Sequence, residues 1–442
     1  MKINLITPKH CVVVYLLCRK SFKLMKTIAG YDVKIYTDNV EETALNQINQ
    51  LLSIDVFSDK KIRIMPDVHA GAGCVIGFTG NLGDKIIPNI VGVDIGCGMR
   101  ILKLGSIDEI DFHSFNEHIN SNVPSGMWIR EEKKGYKPLI NDEMDIYREA
   151  KELLNSLYCY RELKNQDRLK RSIGSLGGGN HFIELDKDDD GNIYLVIHTG
   201  SRNLGKQVAE IYQSKAIKHL TPGADEFENY IKQIIEEYKA AGRRDELQDV
   251  IKKMRKQHKE AKPTIPKDLC YLEGEMRDHY LHDMRICQRW AVLNRKLISI
   301  LLLKFFPNAQ VLDEFETIHN YISNDNIIRK GAISAQSGER CLIPLNMRDG
   351  ALICIGKGNE DWNCSAPHGA GRILSRSQAY QKISMEDFTD SMTGIYSESI
   401  NDFTRDESPM VYKPTEEIIR NISETVSIET RIRPIFNFKA SN

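Results

Sequence analysis

No two of the ten cysteines stand at a Cys-x-x-Cys spacing. They are scattered as Cys11, Cys18, Cys74, Cys97, Cys159, Cys270, Cys287, Cys341, Cys354 and Cys364. A chain of 442 residues with 41% hydrophobic content can bury a full core without a disulfide framework. The scatter therefore predicts a reducing, cytoplasmic setting. An excess of charge of one sign is also missing. The 60 basic and 61 acidic residues leave a net charge of −1, so any surface for nucleic acid must be local. The apolar run Cys11–Cys18 falls far short of the roughly 20 residues a membrane helix needs, and no membrane attachment is expected. Tandem repeats and low-complexity tracts are absent too.

Residues 1–24 admit two readings. A basic start and a short apolar run fit a signal peptide, but no small-residue cleavage site follows. The preferred reading is an extension outside the fold, with Met25 as the functional start of a single domain over 25–442. Alternation of Tyr31, Val33 and Ile35 predicts a strand over 30–36. Ala44, Ile48, Leu51 and Leu52 share one face of an expected helix, Val40–Ile54. A Gly-rich, β-like region follows over Ile62–Leu104, and residues 143–170 read as helical. Ile173–Leu185 and Asn192–Ile197 read as strands joined by an Asp-rich turn. From about 204 to 306 the pattern is long and helical, broken near Pro222 and Pro263–Pro266. Short strands and Gly-rich loops then return, and Thr430–Phe438 reads as a final strand. The expected class is α+β, with a mixed β core contributed by both halves of the chain and a long helical insertion between them.

Five segments put metal-competent or nucleophilic residues beside glycine. Ile90–Met99 carries Asp94 and Cys97 on a Gly-rich turn, which can aim a carboxylate and a thiolate into one cavity. A buried cysteine and a turn-capping Asp would look the same. Gly174–Glu184 is a Gly-rich loop feeding Asn180, His181 and Glu184. Its amides can cradle a phosphate, yet no Gly-Lys-Ser/Thr follows, so it is no Walker loop, and a plain tight turn fits as well. In Ile193–Arg202, His198 ends an apolar strand, as either a ligand or a hydrogen-bonded core histidine. Thr317–Tyr321 holds His319 and Asn320, which say little alone. Gly356–Arg372 places His368 among glycines with Arg372 nearby, where a phosphate can approach closely and be bound bidentately. A core histidine needs no such setting.

Taken jointly, Asp94, Cys97, His181, His198 and His319 form a donor set for a borderline-soft divalent ion such as Mn²⁺ or Zn²⁺. Five ligands are too many for one tetrahedral ion with an open position, and two ions with a bridging thiolate would use them all.

At these residues the chain closely resembles the RtcB family of RNA-splicing ligases. The resemblance runs from about Met25 to Asn442 through all five segments. Pro66-Asp-Val-His-Ala-Gly71, Tyr280-Leu-His-Asp-Met284 and Asn294-Arg295 also look like family segments. The resemblance implies an RNA ligase that uses GTP and Mn²⁺. It joins ends bearing a 3′-phosphate or 2′,3′-cyclic phosphate to 5′-hydroxyl ends through a histidine-GMP intermediate, in RNA repair or tRNA splicing. Carried over, His368 is the nucleophile. Asp94, Cys97, His181, His198 and His319 are the metal ligands for two ions, with Cys97 bridging. Asn180, Glu184, Asn320, Gly369, Ala370, Gly371, Arg372 and Lys439 fall at guanylate-contacting positions, as do Pro344, Asn346 and Met347. In this last segment the chain departs from the family. Pro344-Leu-Asn-Met347 stands where many members have Pro-Gly-Ser-Met, which removes a glycine from the loop. The implied partners are RNA with broken ends, GTP and an archease-type activating protein.

The alternative is a metal-dependent phosphoesterase that processes RNA ends without ligation. A lysine nucleotidyltransferase is disfavoured, because no Lys-x-Asp-Gly occurs. Arg243, Arg244, Lys252, Lys253, Arg255, Lys256 and Lys259 form a local basic run, either an RNA track or a solvated helix face.

Overall fold

The computed structural model describes residues 13–17, 24–131, 136, 138–257 and 262–440. Two seven-stranded sheets form its centre. The first runs Val13–Leu17, Leu24–Ile28, Val33–Ile35, Ile62–His69, Ile76–Asn81, Ile327–Lys330 and Asn320–Ile322 in spatial order. Its one parallel pair is Val33–Ile35 with Ile62–His69, so the sheet is mixed. The second is antiparallel throughout, in the order Asp313–Ile318, Gly98–Gly105, Ile193–Thr199, Phe182–Lys187, Val426–Lys439, Gly350–Gly356 and Arg340–Asn346. Its two edges approach each other, where Leu342 N–H donates to Thr317 Oγ1 at 3.1 Å and Arg340 pairs with Asp313. The sheet is thus nearly a closed barrel, lined inside by Met99, Ile101, Tyr194, Val196, Leu342 and Ile353. Both halves of the chain supply strands, as the expected α+β class requires.

The helical insertion contains Asn203–His219, Ala224–Ala240, Leu247–Gln257 and the 30-residue helix Gly274–Leu303. No described helix is long and apolar enough to cross a membrane. Leu293, Leu297, Ile298 and Leu301 of the long helix share a core with Ile183, Leu185, Leu195 and Ile197 on the outer face of the barrel. Each such residue contributes roughly 1.5–3 kcal/mol on burial.

Most elements follow their periodicity. The first helix spans Glu42–Leu52 and buries Ala44, Ile48, Leu51 and Leu52. The expected strand over Ile173–Leu185 is a correction, because the strand starts only at Phe182 and before it there is just an isolated bridge from Gly177 to Ser125. Gly174, Gly177 and Gly179 take φ values of 74°, 90° and 72°, outside the extended region, so this stretch is a loop. The reading of residues 1–24 falls mostly outside the described residues. Val13–Leu17, which is described, pairs antiparallel with Leu24–Ile28 at a sheet edge. In the basic run, Arg243 pairs with Glu246 at 2.5 Å and Arg255 with Glu228 at 3.8 Å, while Lys259 lies outside the described residues.

Two polar residues on the long helix tie together the loops that bear the candidate ligands. Asn294, fully buried, accepts from Gly174 N–H at 2.7 Å and Ser175 N–H at 3.2 Å, and donates to Ser175 O and Gly200 O. Arg295, also fully buried, donates to Gly96 O and Thr199 O at 2.9 Å and pairs with Glu316 at 3.0 Å. Thus one dipeptide braces the turn before Cys97, the loop before His181, the strand end after His198 and the strand before His319. Asn294→Ala strands these buried backbone groups. It is expected to cost about 3 kcal/mol, read as a thermal midpoint lowered by several degrees together with weaker divalent-metal binding. An unchanged midpoint would contradict this bracing role.

Candidate active site

Cys97 ends the turn that enters Gly98–Gly105, and His198 sits on the neighbouring strand opposite Met99. His181 immediately precedes the next strand, and His319 follows Asp313–Ile318 on the other side. Adjacent strands of one sheet thus bring four distant sequence positions to a single rim. Cys97 Sγ lies 3.4 Å from His181 Nε2 and 3.3 Å from His198 Nε2. His198 Nε2 is 3.5 Å from His319 Nε2, and His181 Nε2 is 3.0 Å from Asp94 Oδ2. All five residues sort into two donor sets, Asp94–Cys97–His181 and Cys97–His198–His319, in each of which the ligand atoms lie within 4.8 Å of one another. Cys97 belongs to both.

Tautomers are set by the backbone. His181 Nδ1–H donates to Leu176 O at 2.9 Å, and His198 Nδ1–H donates to Asn180 O at 3.1 Å. Their Nε2 atoms therefore both face Cys97, with His181 Nε2 also facing Asp94 and His198 Nε2 also facing His319. Burial, then the neighbouring His181 charge, pulls the His198 pKa well down. Burial, then His368, does the same to His319. Burial, reinforced by Asp94, pushes the Cys97 thiol well up. Burial also works to raise Asp94, yet its hydrogen bond and charge pairing with His181 hold it below the usual carboxylate range. Converging lone pairs with so few protons between them fit a cation. The N, S and O donor set suits a borderline-soft divalent ion.

On the far side of His319, its ring centroid 4.9 Å away, stands His368. His368 Nδ1–H donates to Asp67 Oδ2 at 2.6 Å, and its backbone N–H donates to the same oxygen at 3.1 Å. Asp67 is fully buried. This pairing fixes the proton on Nδ1 and leaves the Nε2 lone pair available as a nucleophile. Gly371, at φ 75°, passes so close that a Cβ would overlap Asp67 O, so this approach requires glycine.

His368 opens on a cavity of about 530 Å³, a size that suits a nucleotide. Asn180, Glu184, Pro344, Asn346, Met347, Gly369, Ala370, Gly371, Arg372 and Lys439 line it, together with His198. Asn320 does not. Its amide donates to Asp94 O at 3.2 Å and accepts from Gly331 N–H at 2.9 Å, so it braces the turn that carries Asp94. Arg372 is at the wall, but its guanidinium already pairs with Glu407 at 3.0 Å and donates to Asp406 O at 2.6 Å. Lys439 also meets Glu407, at 3.2 Å. Although burial works to raise it, Lys439 and Arg372 hold the Glu407 carboxyl below its ordinary value. Asn346 spends its amide on its own turn, with Asp349 and the Arg348 N–H, while Leu345 packs into the core. Sequence reasoning missed Asp67 and Glu407 as site residues. For Asp67 a signal existed, a lone carboxylate inside the apolar strand Ile62–His69.

The family model described as tRNA-splicing ligase RtcB matches residues 47–440. The chain belongs to the RtcB family. The RNA-splicing ligase RtcB of Escherichia coli is 28% identical over 438 residues, covering 92% of this chain and 97% of that protein. The tRNA-splicing ligase RtcB of Nanoarchaeum equitans is 26% identical over 458 residues, covering 85% and 87%. That of Archaeoglobus fulgidus is 24% identical over 457 residues, covering 84% and 86%. The matched range spans the positions of His368, Asp67 and both donor sets.

The directions of these pKa shifts fix how metal loading depends on pH. At pH 7 His198 and His319 are already neutral, whereas Cys97 holds its proton until a cation displaces it. Calorimetric Mn²⁺ titrations in buffers of different ionisation enthalpy should show about one more proton released by the unmodified protein than by Cys97→Ala. Affinity for the metal should rise with pH across neutrality. Equal proton release by the two proteins would contradict the assignment of Cys97 as a ligand.

Proposed function

We propose that this chain is a GTP- and Mn²⁺-dependent RNA ligase. It joins RNA ends bearing a 3′-phosphate or 2′,3′-cyclic phosphate to 5′-hydroxyl ends, through a covalent bond between GMP and His368. The observation that carries the reading is His368 itself. Its Nδ1 lies 2.6 Å from Asp67 Oδ2, which turns Nε2 the other way, and it stands between a metal-competent cluster and a nucleotide-sized cavity.

In this reading Asp94, Cys97, His181, His198 and His319 hold two divalent ions, with Cys97 shared. Bound there, the ions supply charge neutralisation for phosphates that would otherwise repel a nucleophile. The chain's own groups do the rest. His368 Nε2 attacks the α-phosphorus of GTP, a phosphorus–nitrogen bond forms, and pyrophosphate leaves with the bonding pair. Asp67 stabilises the imidazolium that develops, as a carboxylate does behind a catalytic histidine. Gly369, Ala370 and Gly371 let the phosphate approach without a side chain in the way. Water first opens a 2′,3′-cyclic end to a 3′-phosphate. An oxygen of that phosphate then takes GMP from His368, and the 5′-hydroxyl attacks the RNA 3′-phosphorus, giving up its proton to solvent as GMP departs with the bonding pair. Glu184 and Lys439, both buried and both lining the cavity, meet the base.

RNA with broken ends is the substrate class, in RNA repair or tRNA splicing, with residues 25–442 working as one ligase unit. An archease-type activating protein and a cytoplasmic setting belong to the same reading. The eight described cysteines, all free thiols, agree with a reducing compartment.

Incubation with α-labelled GTP and Mn²⁺ tests the proposal. Covalent label should form on the unmodified protein, survive base, be lost in acid and vanish in His368→Ala. Asp67→Asn should keep the fold and lower the labelling rate by about 10²–10⁴-fold, since the imidazole loses its tautomer-fixing partner. Absence of label on a metal-loaded, folded protein that still trims RNA 3′ ends would favour the phosphoesterase reading instead.

A further inference from the structure

The strand Phe182–Lys187 turns Phe182, Glu184 and Asp186 to one face by its two-residue period, and that face is the inside of the barrel. Glu184 borders the nucleotide cavity. Asp186 lies one step deeper and is fully buried. Neither of its carboxyl oxygens has a hydrogen-bond partner among the described residues. An ionised carboxylate left that way would be very costly, so the group keeps its proton.

The surroundings give no reason to think otherwise. Tyr194, opposite Asp186 on the next strand, commits its hydroxyl to Asp188 at 2.9 Å. On the other flank the register partner is Pro434, which carries no charge. Lys439 lies farther up the same strand and pairs with Glu407, while its charge also acts on Glu184. The remaining wall is apolar, formed by Met99, Ile101, Leu342 and Ile353. Burial and the neighbouring Glu184 both favour the protonated form of Asp186.

A neutral carboxylic acid has one O–H donor. A matching acceptor is missing its donor nearby. Asn437, the register partner of Glu184, donates through Nδ2 to Glu184 Oε1 at 2.5 Å, yet its buried Oδ1 has no partner among the described residues. We propose that protonated Asp186 donates to one buried water, whose two hydrogens reach Asn437 Oδ1 and the Glu184 carboxylate. It is thereby a positioning residue that sets base preference at the nucleotide cavity. This rests on the reading that Glu184 meets the base. A carboxylate held ionised accepts from the adjacent N–H donors of guanine and faces an acceptor nitrogen in adenine. Without the support of Asp186, Glu184, which burial already pushes up to about 7, takes a proton and loses that discrimination.

The test is equilibrium binding of GTP and of ATP, with Mn²⁺ present, to the full chain in a His368→Ala background that cannot form the covalent adduct. In that parent GTP should bind more tightly than ATP. Asp186→Leu should weaken GTP about tenfold and leave ATP within threefold, whereas Asp186→Asn, which retains a donor, should keep the GTP-to-ATP ratio within threefold of the parent. Asp186→Val serves in place of the leucine variant should that protein not fold. A parental ratio in Asp186→Leu, or a loss in Asp186→Asn equal to that in the leucine variant, overturns the proposal. A parent that binds no GTP, or does not prefer it, overturns the Glu184 reading and this one with it.

Discussion

Two histidine nitrogens crowd one sulfur at the barrel rim, His181 Nε2 at 3.4 Å and His198 Nε2 at 3.3 Å from Cys97 Sγ. With their other nitrogens donating to Leu176 O and Asn180 O, neither imidazole can turn a proton toward the sulfur while neutral. The one thiol proton of Cys97 cannot serve both nitrogens and Asp94, so the surrounding fold must hold this cluster of acceptors in place. Much of the architecture is explained by that demand. Strand pairing sets Cys97, His198 and His181 on adjacent strands, and the buried Asn294–Arg295 pair clamps the loops on which they ride. Charges buried as deeply as Arg295 are weak contributors to stability, so their retention here is understandable as geometry control.

The cluster also divides the site. His368 lies beyond His319, its orientation fixed by Asp67 from a different sheet, so the proposed nucleophile and the metal-competent cluster are positioned by different elements. The cavity wall carries its own buried network, in which Glu407 gathers Arg372 and Lys439. Arg372 thereby supports the wall.

How much of this could be read from the sequence depended on whether a signal was local. The helix Glu42–Leu52 and its buried face followed from spacing alone, and so did the long helical insertion. Each donor taken alone was ambiguous, and only their joint presence pointed to a two-ion site. Ile173–Leu185 misled because its apolar residues alternate like a strand, while glycines at positive φ make it a loop until Phe182. Asn320 carried no sign that its amide would be consumed by Asp94 O and Gly331 N–H. Asp67, some three hundred residues from His368 in sequence, became visible as its partner only when the strand Ile62–His69 met the loop after Ser365–Pro367. Pairings across that distance are set by tertiary packing, which no window of residues contains.

The account stands on two ions sharing Cys97 beside a nucleotide presented to His368. Anomalous diffraction at the manganese edge, from crystals grown with Mn²⁺ and a non-hydrolysable GTP analogue, addresses this directly. The account predicts two manganese peaks, one at each donor set and both adjacent to Cys97 Sγ, with the α-phosphorus facing His368 Nε2. A single peak remote from Cys97, or a nucleotide whose phosphates lie away from His368, would contradict it.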